Sequence, residues 1–236
     1  MTKFALIGDI HSQVSPLRAA WRYCQENGLT PLFLGDLFDS RTDTSESVAV
    51  YNLVREIQAE TNAVVLNSNH QDKLIRVLKG NQVRLDFVPE LKRSLAEFEE
   101  AGVDREELLD WLLGCPLGYV FRDSAGTEYR CAHAMFPSWV EVPEYETDHR
   151  VHSLVGKAKE LMLYGPRDRE TRQRVEWWKS ESERTWIRVA GHYHVVHTGP
   201  QSLVLDSGCG GGAWVRDAGA LSLWDVEART LVAFSA

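Results

Sequence analysis

Several features that define whole classes of proteins are scarce or absent in this sequence of 236 residues. It has no apolar run long enough to cross a bilayer, and its first residues lack the basic, apolar, small-residue pattern of a secretory signal. Cysteine occurs only at positions 24, 115, 131 and 209, without any Cys-x-x-Cys pair. We therefore expect a cytoplasmic protein with reduced, buried thiols and no membrane partner.

Basic residues are also fewer than acidic residues. The chain has 26 Lys and Arg residues against 34 Asp and Glu residues, which gives a net charge of −8. This balance argues against long nucleic acid as a partner, because sequence-independent binding needs a basic surface that displaces counterions. It leaves room for a small phosphorylated substrate held by a few arginines and a metal. The sequence does not indicate an oligomeric state.

The first third of the chain alternates short apolar runs with amphipathic segments. Apolar and β-branched residues predict buried strands at Phe4–Ile7, Pro31–Leu34 and 63–66. Amphipathic helices are predicted between and after these strands, over 16–25, 45–60 and 71–78. Strands that alternate with helices predict a layered α/β fold with a mainly parallel sheet.

The rest of the chain has a different character. Two helices are predicted within 88–113, and we take them as a helical insertion spanning about 81–115. Turn residues at 123–126 predict a hairpin that ends at His133. Further strands are predicted at 187–190, 202–206, 219–225 and 230–234. The polar segment 136–183 has no clear pattern, and in the absence of a linker we expect a single domain over 1–236.

Polar side chains that can bind metals follow the predicted strands. They are Asp9 and His11, Asp36 and Asp39, Asn69 and His70, His133, and His192 and His194. Ligands of open α/β sheets bind at the carboxyl ends of the strands. In Asp9-x-His11 and His192-x-His194, an extended backbone would point both side chains the same way. Carboxylate, imidazole and amide ligands without a thiolate favour Mn, Fe, Zn, Co or Ni.

This ligand set predicts a specific chemistry. The Asp36 carboxylate has two oxygens and can bridge two ions about 3.5–4 Å apart, which would hold a hydroxide for in-line attack on a phosphoryl group. We expect His70 to protonate the leaving oxygen as the general acid, with Asp39 holding its imidazole in orientation.

The same residues resemble the sequence blocks of a known family. Gly8-Asp9-Ile10-His11, the run from Gly35 to Asp39, Asn69-His70, His133 and Gly191-His192-Tyr193-His194 look like the blocks of calcineurin-like metallophosphoesterases, in the same order. The segments 69–76, 133–134 and 205–209 are more similar to the bacterial phosphoprotein-phosphatase-like branch. That branch includes the phosphatase module of bacterial polynucleotide kinase-phosphatases and the PrpE-like phosphatases.

The resemblance implies a four-layer α/β/β/α sandwich and two divalent metal ions, with manganese preferred. It implies hydrolysis of a phosphomonoester, in a phosphoprotein, a nucleotide or a small phosphate, with His70 as the acid and Asp39 as its partner. One metal would take Asp9, His11, Asp36 and His194. The other would take Asp36, Asn69, His133 and His192.

The sequence departs from the family pattern at Ser12, Ser40, Ser68 and Gln71. Ser40 stands where many members have an arginine that grips terminal phosphates. We therefore take the adjacent Arg41, and Arg167 further on, as candidates for substrate binding. The change at Ser40 leaves a phosphodiesterase or a dinucleoside-polyphosphate hydrolase as an alternative. The other changes leave a weakly active metal-binding scaffold as an alternative of another class.

Overall fold

The computed structural model describes residues 2–42, 44–143, 148–180, 185–210 and 219–235. Its strands are β1 (Phe4–Ile7), β2 (Thr30–Phe33), β3 (Val64–Val65), β4 (Gly118–Arg122), β5 (Glu128–Ala132), β6 (Asp148–Val151), β7 (Trp186–Ala190), β8 (Val196–Thr198), β9 (Ser202–Leu205), β10 (Ala220–Asp225) and β11 (Thr230–Ser235). The α-helices are α1 (Val14–Asn27), α2 (Ser47–Glu60), α3 (Asn69–Leu78), α4 (Pro89–Glu100), α5 (Arg105–Leu113) and α6 (Gly156–Tyr164), and short 3₁₀ turns cover Leu85–Phe87 and Trp177–Lys179.

The strands form two sheets that pack face to face. One sheet has the order β11-β10-β1-β2-β3, and the other has the order β6-β4-β5-β7-β9-β8. Side chains alternate along a strand, so Phe4 and Leu6 of β1 pack against Phe121 and Tyr129 of the second sheet. Ala5 and its neighbours on the other face pack against helices of the first half of the chain.

The outer face of the second sheet is covered as well, because Val120 of β4 and Ala132 of β5 pack with Met162 of α6. The layers therefore follow the order helix, sheet, sheet, helix. This confirms the predicted α/β/β/α sandwich.

The prediction of a mainly parallel sheet was wrong. β1, β2 and β3 are parallel, as the alternation of strands and helices predicts. However, β10 pairs with β1 in the antiparallel direction, and β11 pairs antiparallel with β10. Both sheets are mixed, because strands late in the chain join them at positions that local sequence patterns do not specify.

Two helices begin earlier than predicted. α1 begins at Val14 rather than at Pro16, and its N-cap residue is Gln13. α3 begins at Asn69 rather than after His70, because Ser68 caps it. Asn69 and His70 therefore lie in the first turn of a helix and not in a loop. The run Gly210-Gly211-Gly212 predicts a tight turn, and its last two residues lie outside the described ranges.

The predicted insertion contains α4 and α5. Leu91 and Phe98 of α4, and Leu108 and Leu112 of α5, share one hydrophobic core with α1 and α2. The region therefore packs onto the helical layer beside the first sheet. Along the described ranges, no helix combines the length and the apolar character that crossing a membrane requires.

Candidate metal centre

The segments that follow β1, β2, β3 and β7 meet at one end of the two sheets and, with residues after α6, surround a pocket of about 200 Å³. Its lining is polar and contains most of the predicted site residues. The lining side chains are Asp9, His11, Asp36, Arg41, Asn69, His70, Lys73, Tyr164, Arg167, Arg174, His192 and His194. His133 lies directly behind this wall, fully buried and in contact with Asn69 and His192.

Two buried groups of side chains offer ligand atoms to a metal. One consists of Asp9, His11 and Asp36, and the other of Asp36, His133 and His192. Within each group, the candidate ligand atoms all lie within 4.8 Å of one another. Asp36 belongs to both groups, so the two candidate sites are adjacent.

The backbone brings these ligands together in a way that differs from the extended geometry expected from the sequence. His11, His192 and His194 have φ values of 46°, 71° and 52°, which lie in the left-handed region. Asp36 also has a positive φ, of 46°. The expectation that alternate residues point the same way along extended backbone was therefore wrong. Left-handed backbone at these residues sets the direction of their side chains. This conformation is strained, and native structures tolerate such strain mainly at functional sites.

Asp36 lies between two imidazoles. Its Oδ2 is 3.4 Å from Nε2 of His133 and 3.7 Å from Nε2 of His11. Burial raises the pKa of this carboxyl, but the charges of His133 and His70 outweigh that effect and hold the pKa well below its usual range. Asp36 is thus held as a carboxylate, the form that binds a cation.

Hydrogen bonds orient the second group. Nδ1 of His133 lies 2.9 Å from the carbonyl oxygen of Leu34, which leaves Nε2 to face Oδ1 of Asn69 at 2.7 Å and Nδ1 of His192 at 3.1 Å. Burial, reinforced by the charges of His133 and Arg174, holds the pKa of His192 well below its usual range. A neutral imidazole offers a lone pair to a metal.

Three buried atoms of the candidate ligands are unsatisfied. They have no hydrogen-bond partner among the described residues, and they are Oδ1 of Asp9, Nε2 of His192 and Nδ1 of His194. Burial and the nearby carboxylates of Asp206 and Asp36 raise the pKa of Asp9. A cation bound beside Asp9 would give its Oδ1 a partner and would neutralise the crowded carboxylates. The residues present therefore fit a divalent metal.

Asp206 is a site residue that the sequence analysis did not single out. It is fully buried, and its Oδ2 accepts a hydrogen bond from the backbone N–H of His194 at 2.6 Å. The same oxygen is 3.5 Å from Nδ1 of His194. His194 itself lines the pocket but lies outside the two compact ligand groups. Only the position of Asp206 at the end of a predicted strand marked it.

His70 and Asp39 form a buried pair beside the metal groups. Nδ1 of His70 is 2.8 Å from Oδ2 of Asp39. Burial lowers the pKa of His70, but the carboxylates of Asp36 and Asp39 outweigh this effect and raise the pKa above its usual value. The imidazole can therefore hold a proton at the edge of the pocket.

The cations of the pocket come from three segments. Both predicted substrate-binding residues, Arg41 and Arg167, line it. Sequence analysis missed Lys73 and Arg174, which also line it. Arg174 donates from Nη1 to the carbonyl oxygen of His192 at 3.0 Å, and it pairs with Arg167 through an isolated β-bridge. The clustering of arginines over 167–174 was the available signal for this second residue.

Two departures from the family pattern form one structural unit. Ser68 caps α3 by accepting a hydrogen bond from the backbone N–H of Gln71, and its hydroxyl contacts Oε1 of Gln71 at 3.0 Å. Nε2 of Gln71 donates to the carbonyl oxygen of Leu66 at 3.3 Å. Serine followed three residues later by glutamine is the sequence of a capping box. The two changes thus support the helix that carries Asn69 and His70, and they remove no ligand.

The family assignment follows from comparison of the whole chain. The sequence model of calcineurin-like phosphoesterases matches residues 2–218. The chain belongs to this family. It is therefore a phosphoesterase of a metal-dependent family, and its Asp and His groups are suited to hold metal. No curated protein sequence matches it significantly.

Solved structures share this fold across the chain. A provisionally assigned diadenosine tetraphosphatase is 19% identical, with a TM-score of 0.58, over 99% of this chain and 93% of that one. A serine/threonine phosphatase from Saccharomyces cerevisiae with similarity to human phosphatase PP5 is 13% identical, with a TM-score of 0.53, over 100% and 80%. A hypothetical protein from Pyrococcus horikoshii OT3 is 12% identical, with a TM-score of 0.52, over 100% and 88%.

Proposed function

We propose that the protein hydrolyses a phosphomonoester, in a phosphoprotein, a nucleotide or a small phosphate, and that it belongs to the bacterial phosphoprotein-phosphatase-like branch of the family. The observation that carries the proposal is the position of Asp36 in both ligand groups. One carboxylate shared by two adjacent sites is the arrangement that a two-metal centre requires.

The residues for each metal are the ones that the sequence resemblance implies. Asp9, His11 and Asp36 would hold the first ion, with His194 completing the set, and Asp36 would also bind the second ion. The second ion would add Asn69, His133 and His192. Bound divalent ions supply an activated water and neutralise charge on the phosphoryl oxygens. We expect manganese to serve best among the ions that oxygen and imidazole ligands accept.

The chain's own residues then handle the leaving group. His70 holds a proton, because its pKa is raised by Asp36 and Asp39. The 2.8 Å contact between its Nδ1 and Asp39 fixes the ring and leaves Nε2 free for proton transfer. Protonation of the departing oxygen by His70 avoids the expulsion of an alkoxide. Asp39 acts as the orienting partner.

Substrate phosphate would be held by the guanidinium groups of the pocket wall. Arg41 and Arg167 line the pocket from two separate segments of the chain, and Arg174 adds a third guanidinium. A planar guanidinium can donate two hydrogen bonds to two oxygens of one phosphate, and it stays charged at every relevant pH. We infer a phosphorylated small molecule, nucleotide or protein as the substrate, in a reducing, cytoplasmic setting that is in keeping with four free buried cysteines.

The decisive experiment compares p-nitrophenyl phosphate with bis-p-nitrophenyl phosphate. Metal-stripped protein is reloaded with Mn, Ni, Zn or Mg, and the Asp36→Asn variant is assayed alongside as the blank. Asp225→Asn is the matched control, because Asp225 is also a buried carboxylate but binds Tyr23 and Ala228 instead. Turnover that needs added metal, survives in the control and disappears in the blank supports the proposal.

Other outcomes select the alternatives. Faster hydrolysis of the bis ester would favour a phosphodiesterase, and cleavage of a dinucleoside polyphosphate in preference to either ester would favour that class of hydrolase. The presence of several cations around the pocket gives this second candidate its support. Bound metal without turnover of any substrate would favour a scaffold, and failure to bind metal would overturn the proposal.

A further inference from the structure

A chain of buried serine hydroxyls connects α4 to the catalytic end of the molecule. Oγ of Ser12 is 2.9 Å from Oγ of Ser47, which lies 3.1 Å from Oγ of Ser94. All three side chains belong to residues with no solvent exposure. They come from the loop after β1, the start of α2 and the middle of α4.

The chain of hydroxyls has a definite direction. Ser94 donates to the carbonyl oxygen of Glu90, one turn back in α4, at 3.3 Å. Ser47 donates to Ser94, and Ser12 is then left to donate to Ser47. Each hydroxyl donates once, and Ser94 keeps a lone pair for one further donor.

That further donor is the backbone N–H of Asp39, which lies 3.1 Å from Oγ of Ser94. Asp39 has a φ of 69°, so its backbone is in the left-handed region that side chains other than glycine rarely adopt. Phe98, one turn after Ser94 in α4, packs edge-on against Phe38 at 5.2 Å. α4 thus contacts the loop before Ser40 through both a polar and an aromatic group.

The position of Ser94 is otherwise difficult to explain. Serine is a poor residue for the middle of a helix, and a buried hydroxyl is costly unless it has partners. Its partners outside α4 are Ser47 and Asp39. The residue is thus suited to hold the Asp39 backbone, and Asp39 in turn holds His70.

We propose that Ser94 is a positioning residue, through which the helical insertion sets the geometry of the Asp39–His70 pair. The proposal rests on the proposed function of His70 as the general acid. Loss of the Ser94 hydroxyl lets Asp39 relax, so the imidazole of His70 is less well placed to deliver its proton.

The test compares the manganese-loaded Ser94→Ala and Ser47→Ala variants on two substrates, phenyl phosphate and p-nitrophenyl phosphate. Both changes delete one fully buried hydroxyl between α2 and α4, but only the first removes the acceptor for Asp39. We expect Ser94→Ala to lower kcat for phenyl phosphate by about three- to tenfold more than for p-nitrophenyl phosphate, as the loss of one hydrogen bond would allow. KM should change little, and Ser47→Ala should show equal changes on both substrates.

A double-mutant cycle then separates positioning from general damage. In the His70→Ala background, Ser94→Ala should no longer change the ratio between the two substrates, because the residue acts through His70. If Ser94→Ala fails to fold in thermal melts, Ser94→Cys replaces it, since a thiol fills similar space but accepts hydrogen bonds weakly. Equal ratios in both serine variants, or an undiminished effect without His70, would overturn the inference.

Failure of the inference and failure of the proposed function look different. If wild-type protein hydrolyses neither ester with any metal, or if His70→Ala leaves the substrate ratio of wild type unchanged, the proposed function of His70 fails. If His70→Ala changes that ratio and Ser94→Ala does not, only the role of Ser94 fails.

Discussion

Nδ1 of His70 lies 2.8 Å from Oδ2 of Asp39, and this contact joins the first turn of α3 to the loop that follows β2. Both residues are almost completely buried, yet His70 lines the pocket. With Nδ1 held by a carboxylate, Nε2 is the ring nitrogen left for substrate. The pair therefore has the geometry of a general acid and its orienting partner.

Replacing His70 should reveal this role through the leaving group. His70→Ala should lower kcat for phenyl phosphate by about 10²–10⁴-fold, the usual contribution of general acid catalysis. The loss for p-nitrophenyl phosphate should be much smaller, because p-nitrophenolate departs without a proton. Steady-state kinetics on both esters measures the difference. Equal losses on the two esters would contradict the assignment.

The ligand set was predictable from the sequence because each member is adjacent to a short apolar run. Asp9, Asp36 and His192 follow β1, β2 and β7 closely, and the carboxyl ends of these strands converge at one end of the two sheets. The orientation of these side chains was not predictable, since the left-handed backbone at His11 and His192 depends on contacts across the whole site. Extended geometry was therefore the wrong basis for expecting these side chains to lie together.

Residues that act through others were harder to find. Asp206 follows β9 without a recognisable partner in sequence, and Ser94 lies in a helix that looks like an ordinary amphipathic segment. Arg174 lay within an arginine cluster whose members could equally face solvent. Each of these depends on a contact between segments far apart in the chain, which periodicity and local motifs do not encode.

Metal should contribute to stability as well as to turnover. Without a cation, Asp9 and Asp36 are buried near Asp206, and their mutual repulsion opposes folding. Adding manganese at about 100 times its dissociation constant should therefore raise the free energy of unfolding by about 2.7 kcal/mol for each site that it fills. Urea denaturation of chelated and reloaded protein measures this gain.

The Asp36→Asn variant tests whether this gain in stability comes from metal bound at the two ligand groups. Because Asp36 belongs to both ligand groups, its loss should weaken both sites and remove most of the gain from manganese. Asp225→Asn should keep the full gain. If Asp36→Asn were stabilised by manganese as much as wild type, the shared role of Asp36 would be wrong.

The cap of α3 should be measurable as stability. Ser68→Ala removes the side-chain acceptor for the Gln71 N–H and should lower the free energy of unfolding by about 1 kcal/mol. Ser68→Gly should cost only a few tenths of a kcal/mol by the same principle. Thermal and urea denaturation of the chelated proteins gives both values. A larger loss for glycine than for alanine would argue against a capping role.

Asp206 should control metal affinity through His194. Its Oδ2 accepts a hydrogen bond from the His194 backbone N–H at 2.6 Å, which holds the backbone of this residue, and lies 3.5 Å from Nδ1 of its imidazole. Loss of a residue that positions a ligating histidine typically costs about 10–100-fold in metal affinity. We therefore expect Asp206→Asn to weaken manganese binding within that range, measured by isothermal titration calorimetry.

The competing expectation for Asp206 concerns charge. Its carboxylate raises the pKa of Asp9, so Asp206→Asn also relieves repulsion and should stabilise the metal-free protein in urea denaturation. Weaker binding together with a more stable apo form would show that Asp206 acts on the metal through His194 at the expense of folding stability. Asp225→Asn, which removes a buried carboxylate away from the pocket lining, should change neither the affinity nor the apo stability in this way. Unchanged manganese affinity in Asp206→Asn would mean that the backbone N–H contact alone holds His194, and that the carboxylate charge is dispensable for the site.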